Sequence, residues 1–441
     1  MKALAPRRAP IEQPHGQPST ARSIMTRSKA RQVLNNVLVY SAIMVVTLLL
    51  VDGICVAFNL FPPVLSYGDP DLGWAPARAT GAMAIGKCIE FSTGETVIFQ
   101  RNDDAVRTGL TRAAVLADSA RLRIGVSGDS QTDLCARNDQ IPGGVLEATL
   151  NAHAHPATVL TYGAGRYSPL QAYLAFRKVL VPYRPNVFIL QVYTGNDLYD
   201  ILRSDDRPHF EPTQSGYRIA EPVWYVYDDP KVHTRSRLLH LLRTVGDRTG
   251  IRRIPLKVGE LRRLGKEYGA GSLDVISYLR DLWKARDPSV GYPDAFSAQM
   301  LNQQLFFQHF PGAQEESIRR MRALLTMIRR ENPGLTLVMS PIPSYELVGA
   351  RPVDATLQRT LARLSITLEA GQRQEGGLYE RLRQLASEQQ WIFVDNLAAL
   401  QSYKGSGRLY NNFDYHLLPN ASALVGQAEA EALLRVRRKA R

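Results

Sequence analysis

The residue types needed for nucleophilic chemistry stand in one stretch, Leu122-Arg123-Ile124-Gly125-Val126-Ser127-Gly128-Asp129-Ser130-Gln131-Thr132-Asp133. An apolar run that reads as a buried strand ends at Gly128-Asp129-Ser130, and the residues from Gln131 onward can begin a helix. Ser130 is therefore expected at a strand-to-helix corner. There a hydroxyl projects clear of the sheet edge, and the N–H groups of the incoming helix face an anion forming beside it. Gly-Asp-Ser also makes an ordinary turn, so the reading depends on partners elsewhere in the chain.

A serine nucleophile needs a base, a group that orients the base, and donors for the oxyanion. Thr194-Gly195-Asn196-Asp197 follows the apolar run 186–193, and Asn196 can aim a side-chain N–H at a carbonyl oxygen. Near the C-terminus stands Asn412-Phe413-Asp414-Tyr415-His416-Leu417-Leu418-Pro419. The chain has 8 histidines, and His416 is the one with an acid, Asp414, two residues away in a turn that precedes a helix. Between these blocks, Thr161-Tyr162-Gly163-Ala164-Gly165-Arg166-Tyr167-Ser168 is a glycine turn directly after a strand, able to offer backbone N–H groups to an anion.

Positioning these residues requires an alternating chain. Apolar strand-like runs cover 122–126, 157–161, 186–193, 335–340 and 391–394, with helix-like stretches at about 132–152, 170–180, 315–331, 354–389 and 421–437. This rhythm argues a five-stranded, mainly parallel sheet with helices on both faces, whose chemistry gathers at the C-terminal strand ends. Residues 201–311 break it and are expected to form a cap or subdomain. They carry an aromatic strand-like piece, Val223-Trp224-Tyr225-Val226-Tyr227, and a basic helical run with Arg252, Arg253, Lys257, Arg262, Arg263 and Lys266. A packed aromatic strand and a solvated helix face are the plainer explanations of those two signals.

The formal net charge is +13 in 441 residues, and much of the excess precedes residue 36. Residues 1–35 read as a disordered tail. The apolar segment of residues 36–60 has about the length that crosses a bilayer, interrupted by Asp52. It is long for a signal peptide, and Phe61-Pro62-Pro63 lacks a small-x-small cleavage site. A retained single span follows, with a cytoplasmic N-terminus and everything from about Phe61 outside. Residues 61–120 are a connector expected to pack on the main domain, residues 121–441, through Trp74, Phe91 and Phe99. Of the three cysteines, Cys88 and Cys135 can pair in an oxidising compartment or remain free thiols. His153 and His155 have no third ligand nearby, so no metal is expected. No motif calls for a cofactor, and no recognition motif accompanies the positive charge, so nucleic acid is not an expected partner.

The blocks around Ser130, Gly163, Asn196 and His416, in that order, resemble the SGNH (GDSL-type) hydrolase family of serine esterases and acyltransferases. The resemblance covers about 122–200 and 315–441. Membrane-anchored bacterial members are similar in having a span, a stretch like Asp69-Pro70-Asp71-Leu72-Gly73-Trp74, and then the nucleophile block. The resemblance implies a three-layer α/β/α sandwich of the SGNH or flavodoxin-like kind. It implies Ser130 as nucleophile and, through its N–H, one oxyanion donor, with Asn196 as another. His416 would be the base and Asp414 its orienter. In strict register the family glycine falls on Arg166, and a turn one residue shorter places it on Gly165, the donor preferred here. The C-terminal block departs from the pattern at Leu417-Leu418-Pro419-Asn420-Ala421.

The expected protein is a single-pass enzyme of the bacterial inner membrane. Its periplasmic serine hydrolase domain would act on an ester, an O-acyl group of an envelope glycan or a lipid. The alternatives are an O-acyltransferase served by a membrane partner that delivers the acyl group, and a catalytically silent subunit of a glycan assembly or export complex.

Overall fold

The computed structural model describes residues 21–57, 66–76, 83–90, 94–204, 207–222, 272–285, 303–349, 367–411 and 415–439, with isolated positions at 263, 267, 268, 359 and 362–364. The chain divides into two units, 1–63 with 231–248 and 64–230 with 249–441. In the first, Ala21–Ala57 is one helix. Its window Arg31–Val51 spans 21 residues of mean hydropathy 2.1 and buries none of them. At 1.5 Å per residue such a window rises about 30 Å, the thickness of a bilayer's hydrocarbon core. The helix is long and apolar enough to cross a membrane, a test that a signal sequence also meets.

The second unit opens with two antiparallel hairpins, β1 (Ser66–Asp69) with β2 (Gly73–Pro76) and β3 (Met83–Ile89) with β4 (Thr96–Asn102). The sheet strands are β5 (Leu122–Gly128), β6 (Ala157–Gly163) and β7 (Val187–Tyr193), followed, after the hairpin β8 (His209–Thr213) with β9 (Gly216–Ala220), by β10 (Thr336–Ile342) and β11 (Ile392–Phe393). Their order is β11-β10-β7-β5-β6, with every pair parallel. The chain steps from β5 to one neighbour, β6, and then returns to the other, β7. In parallel α/β sheets ligands are bound at such a reversal, beyond the C-terminal strand ends, and Ser130 follows the C-terminal end of β5.

Every residue of β6 and β7 is buried, as strands covered on both faces must be. Successive side chains go to opposite layers. Ile189 and Val338 join Ile124, Val126, Leu146, Leu150, Ala430 and Leu433 under the helices Pro142–Ala152 and Pro419–Lys439. Phe188, Leu190, Leu337 and Met339 pack instead with Phe176, Leu324, Leu382 and Trp391, beneath the helical segments 169–180, 311–331 and 368–388. The result is the expected α/β/α sandwich, with Phe176 and Phe188 stacked at its centre, ring centroids 3.9 Å apart.

The helix expected to run from about 132 starts only at Pro142. A single turn closes around Ser130, with the Thr132 and Asp133 N–H groups both donating to the Asp129 carbonyl. The buried Arg107 guanidinium then takes the chain over, donating to the Asp133 carboxylate at 3.2 Å, the Leu134 carbonyl at 3.1 Å and Asn138 Oδ1 at 3.1 Å. These bonds hold the loop between the turn and Asn138, and Pro142 supplies the preset φ of a first helical position. The segments 223–227 and 252–262, expected as an aromatic strand and the bulk of a basic helix, lie outside the described residues.

Cys88 and Cys135 are bridged, with Cα atoms 5.8 Å apart and a sequence separation of 47. The bond ties β3 to the loop after the Ser130 turn, where Arg101 and Arg107 both pair with Asp133. Closing a loop of that length constrains the unfolded chain by about 4 kcal/mol. Replacing both cysteines by alanine is expected to lower the urea midpoint by an amount corresponding to about 2–5 kcal/mol. An unchanged midpoint in equilibrium denaturation would show that the bridge adds no stability.

Candidate active site

The sheet edge formed by the C-terminal ends of β5, β6, β7 and β10 gathers the candidate residues. Gly128 and Gly163 face each other across the β5–β6 ladder. A Cβ on Gly163 would sit 2.8 Å from the Asp129 carbonyl oxygen and 3.0 Å from that of Gly128, while one on Gly128 would sit 2.1 Å from Thr132 Oγ1. Bare Gly163 leaves room for the carbonyls at the end of β5, and bare Gly128 leaves room for Thr132 and for the Gln191 backbone of β7. Asp129 Oδ1 accepts from the Gln131 N–H at 2.8 Å, a local turn that lifts half-buried Ser130 out of the strand line. Below it Thr132 Oγ1 donates to Gln191 Oε1 at 2.7 Å, and Gln191 Nε2 donates to Glu429 Oε1 at 2.8 Å.

The glycine turn after β6 lies beside Ser130. The Cβ position of Gly165 is 4.0 Å from Ser130 Cβ. The Tyr167 N–H donates to the Ala164 carbonyl at 3.1 Å and closes the turn, and Arg166 takes a left-handed backbone with φ 68°, the conformation glycine adopts most easily. Trp74 Nε1, from β2, donates to the Gly165 carbonyl at 3.2 Å, and Tyr167 Oη donates to the Trp74 carbonyl at 2.7 Å.

Asn196 is buried just after β7. Its Nδ2 donates to Asp200 Oδ2 at 3.0 Å, and Asp200 in turn faces the fully buried Arg207 at 2.8 Å. A carboxylate bound to a guanidinium accepts hydrogen bonds, so the nitrogen of Asn196, not its oxygen, must lie on that side. One N–H of that amide is spent on Asp200, and the amide carries a second. The turn itself is pinned by buried Glu375, which accepts from Thr194 Oγ1 and, at 2.9 Å, from the Ser344 N–H.

His416 is half-buried in the loop before the last helix. Gln131, the residue after Ser130, reaches this loop across the sheet edge: its Nε2 donates to the Tyr415 carbonyl at 3.3 Å, and its Oε1 accepts from the Leu417 N–H at 3.0 Å. Asn411 holds the opposite side, accepting from the Tyr415 N–H at 2.9 Å and donating its own N–H to the His416 carbonyl at 3.0 Å. Burial raises the Asp129 carboxyl to about 6, against the lowering effect of the Gln131 N–H it accepts and of His416 nearby. Burial, with Asp129 and Asp200 beside it, also raises Asp197 well above the carboxylate range. Asp414 lies outside the described residues.

Ser130, Gly165, Asn196 and His416 thus come from four separated segments: the first three follow the C-terminal ends of β5, β6 and β7, and Gln131 ties the His416 loop to the turn at Ser130. Gln131, Trp74 and Arg207 were not among the candidates read from the sequence. Asp200 stands one helical turn after Asn196, a spacing that could have marked it; nothing in the sequence marks Gln131. Among the described residues no three His, Cys, Asp or Glu are grouped to hold a metal.

No family model matches the chain, and no curated protein does. Solved structures do match it. LAE5, an alpha/beta hydrolase enzyme from the metagenome of Lake Arreo, aligns with a TM-score of 0.32 and 10% identity over 72% of this chain and 97% of its own. Axe2, an acetylxylan esterase from Geobacillus stearothermophilus, gives 0.29 and 11% over 71% and 93%. A lipolytic protein of the G-D-S-L family from Desulfitobacterium hafniense gives 0.30 and 11% over 71% and 99%. The chemistry open to this chain is set by its own side chains.

Burial lifts Glu429 from the usual carboxyl range to about 7. An acid whose pKa is higher folded than unfolded holds its proton in the native state after the unfolded chain has lost it, so stability falls as pH rises between the two values. Glu429→Gln is expected to match the parent below about pH 4.5 and to melt at a higher temperature above about pH 7. Thermal melts from pH 4 to 8 check this; a gap that does not change with pH would contradict it.

Proposed function

We propose that this chain is a serine esterase of the SGNH type, anchored by its N-terminal helix, with the second unit outside the cytoplasmic membrane. The observation that carries the reading is the convergence on Ser130. A Cβ placed on Gly165 would stand 4.0 Å from that of Ser130, and the residue next to Ser130 is bonded to the backbone on both sides of His416.

In the proposed reaction His416 removes the Ser130 proton as Oγ attacks the acyl carbonyl, forming the C–O bond of a tetrahedral adduct. The oxyanion is met by the Ser130 N–H, the Gly165 N–H and the second N–H of Asn196 Nδ2. Collapse breaks the bond to the alcohol, which leaves with the proton from His416, and water repeats the sequence to release the acid. Asp414 is proposed to orient His416. Donors fixed before the reaction cost no reorganisation when charge develops, and one such donor is worth about 10²–10³ in rate. The substrate proposed is an O-acyl group on an envelope glycan or lipid.

Exposure of the purified chain to a fluorophosphonate is expected to give one covalent adduct, located on Ser130 by peptide mass and absent from Ser130→Ala. Asn196→Ala should still be labelled, with ester turnover lowered about 10²–10³-fold. A folded protein that takes no adduct would sink the esterase reading and favour a catalytically silent subunit.

A further inference from the structure

We propose that Gln131 is the positioning residue that sets His416 in register with Ser130. The inference rests on the serine esterase reading for its chemical consequence, but its geometry stands independently. Nucleophile and base lie on segments 286 positions apart in the chain, measured from Gln131 to Leu417, and a buried hydrogen bond joins those two residues at 3.0 Å. A second, at 3.3 Å, runs from the same side-chain amide to the Tyr415 carbonyl. One planar group therefore binds the backbone immediately before and immediately after the base.

The need for such a clasp is visible in the loop. Tyr415 is held in a left-handed backbone with φ 52°, a conformation that a bulky residue keeps only when its surroundings over-determine it. Gln131 and Asn411 supply that constraint from two sides, and the bridge between Tyr410 and Leu417 closes the base of the loop. Asn411 belongs to the loop itself and would move with it. Gln131 belongs to the nucleophile turn, where its own N–H is fixed by Asp129 Oδ1 at 2.8 Å, so it alone of the two refers the position of His416 to that of Ser130. Gln131 is 1% exposed, which keeps water from competing for either bond. It touches no reacting atom. Its effect is on the alignment of base and nucleophile, where a displacement on the order of 1 Å can cost about 10² in rate.

Full-length protein in detergent, as Gln131→Met and Gln131→Glu beside the parent and Ser130→Ala, tests this with two readouts. The first is the rate of fluorophosphonate labelling across pH 5–9. Gln131→Met keeps the length and removes both bonds, and is expected to slow labelling about 10- to 100-fold while thermal melting remains cooperative. Gln131→Glu keeps the acceptor for Leu417 and adds a charge near His416, so it should recover part of the rate and move the acid limb of the profile to higher pH. The second readout is amide hydrogen exchange, where Gln131→Met should speed exchange in the peptide containing Leu417. Parent-like labelling by Gln131→Met, or two variants equally slow with unshifted profiles, would overturn the proposal. Unchanged exchange would overturn it whether or not the parent is labelled. Faster exchange in a protein whose parent takes no label would support the positioning role and count against the esterase reading alone.

Discussion

The absence of side chains on Gly163 and Gly128 is the constraint from which the rest of the edge follows, the first admitting the carbonyls at the end of β5 and the second Thr132 and the Gln191 carbonyl of β7. With those residues paired across β5 and β6, the Asp129 carbonyl comes within reach of the β6 backbone, and a Cβ at Gly163 would stand 2.8 Å from it. The chain leaving β5 then has one way to go, up into the tight turn that presents Ser130, and the chain leaving β6 must pass beside it. Ser130 and the glycine turn are neighbours because Gly163 lets the end of β5 come this close.

Around that contact the loops are fixed by buried polar side chains from distant segments. Gln191 and Glu429 support the turn through Thr132; Glu375 holds Thr194 and Ser344 together; Asp200, backed by Arg207, holds Asn196. In an interior shielded from water such bonds are directional, and an unmade one is costly. Their yield is loops with little freedom, which an oxyanion site requires if its donors are to point correctly before substrate arrives. The raised carboxyls of Asp129, Asp197 and Glu429 are the electrostatic counterpart of that burial.

The sheet was legible because fully buried parallel strands announce themselves as short apolar runs: 157–161, 186–193 and 335–340 differ from β6, β7 and β10 by one or two residues at their ends. The blocks carrying Ser130, Asn196 and His416 could be placed because each follows a strand or precedes the last helix. Side-chain to backbone bonds across long sequence separations have no periodicity to betray them, so Gln131 was invisible. The late start of the helix at Pro142 was hidden for the same reason, since a single buried guanidinium, Arg107, holds the loop before it through backbone carbonyls.

The hairpins before β5 look at first like a tether leading to the sheet. Trp74 nonetheless donates to the Gly165 carbonyl, Cys88 is joined to Cys135, and Arg107 holds Asp133. A chain cut at Leu122 would keep all five sheet strands while leaving each of those three acceptors or partners empty-handed. The smallest piece that preserves the geometry at Ser130 therefore has to begin at or before Ser66, and a minimal fragment drawn around the sheet alone would be drawn too tightly.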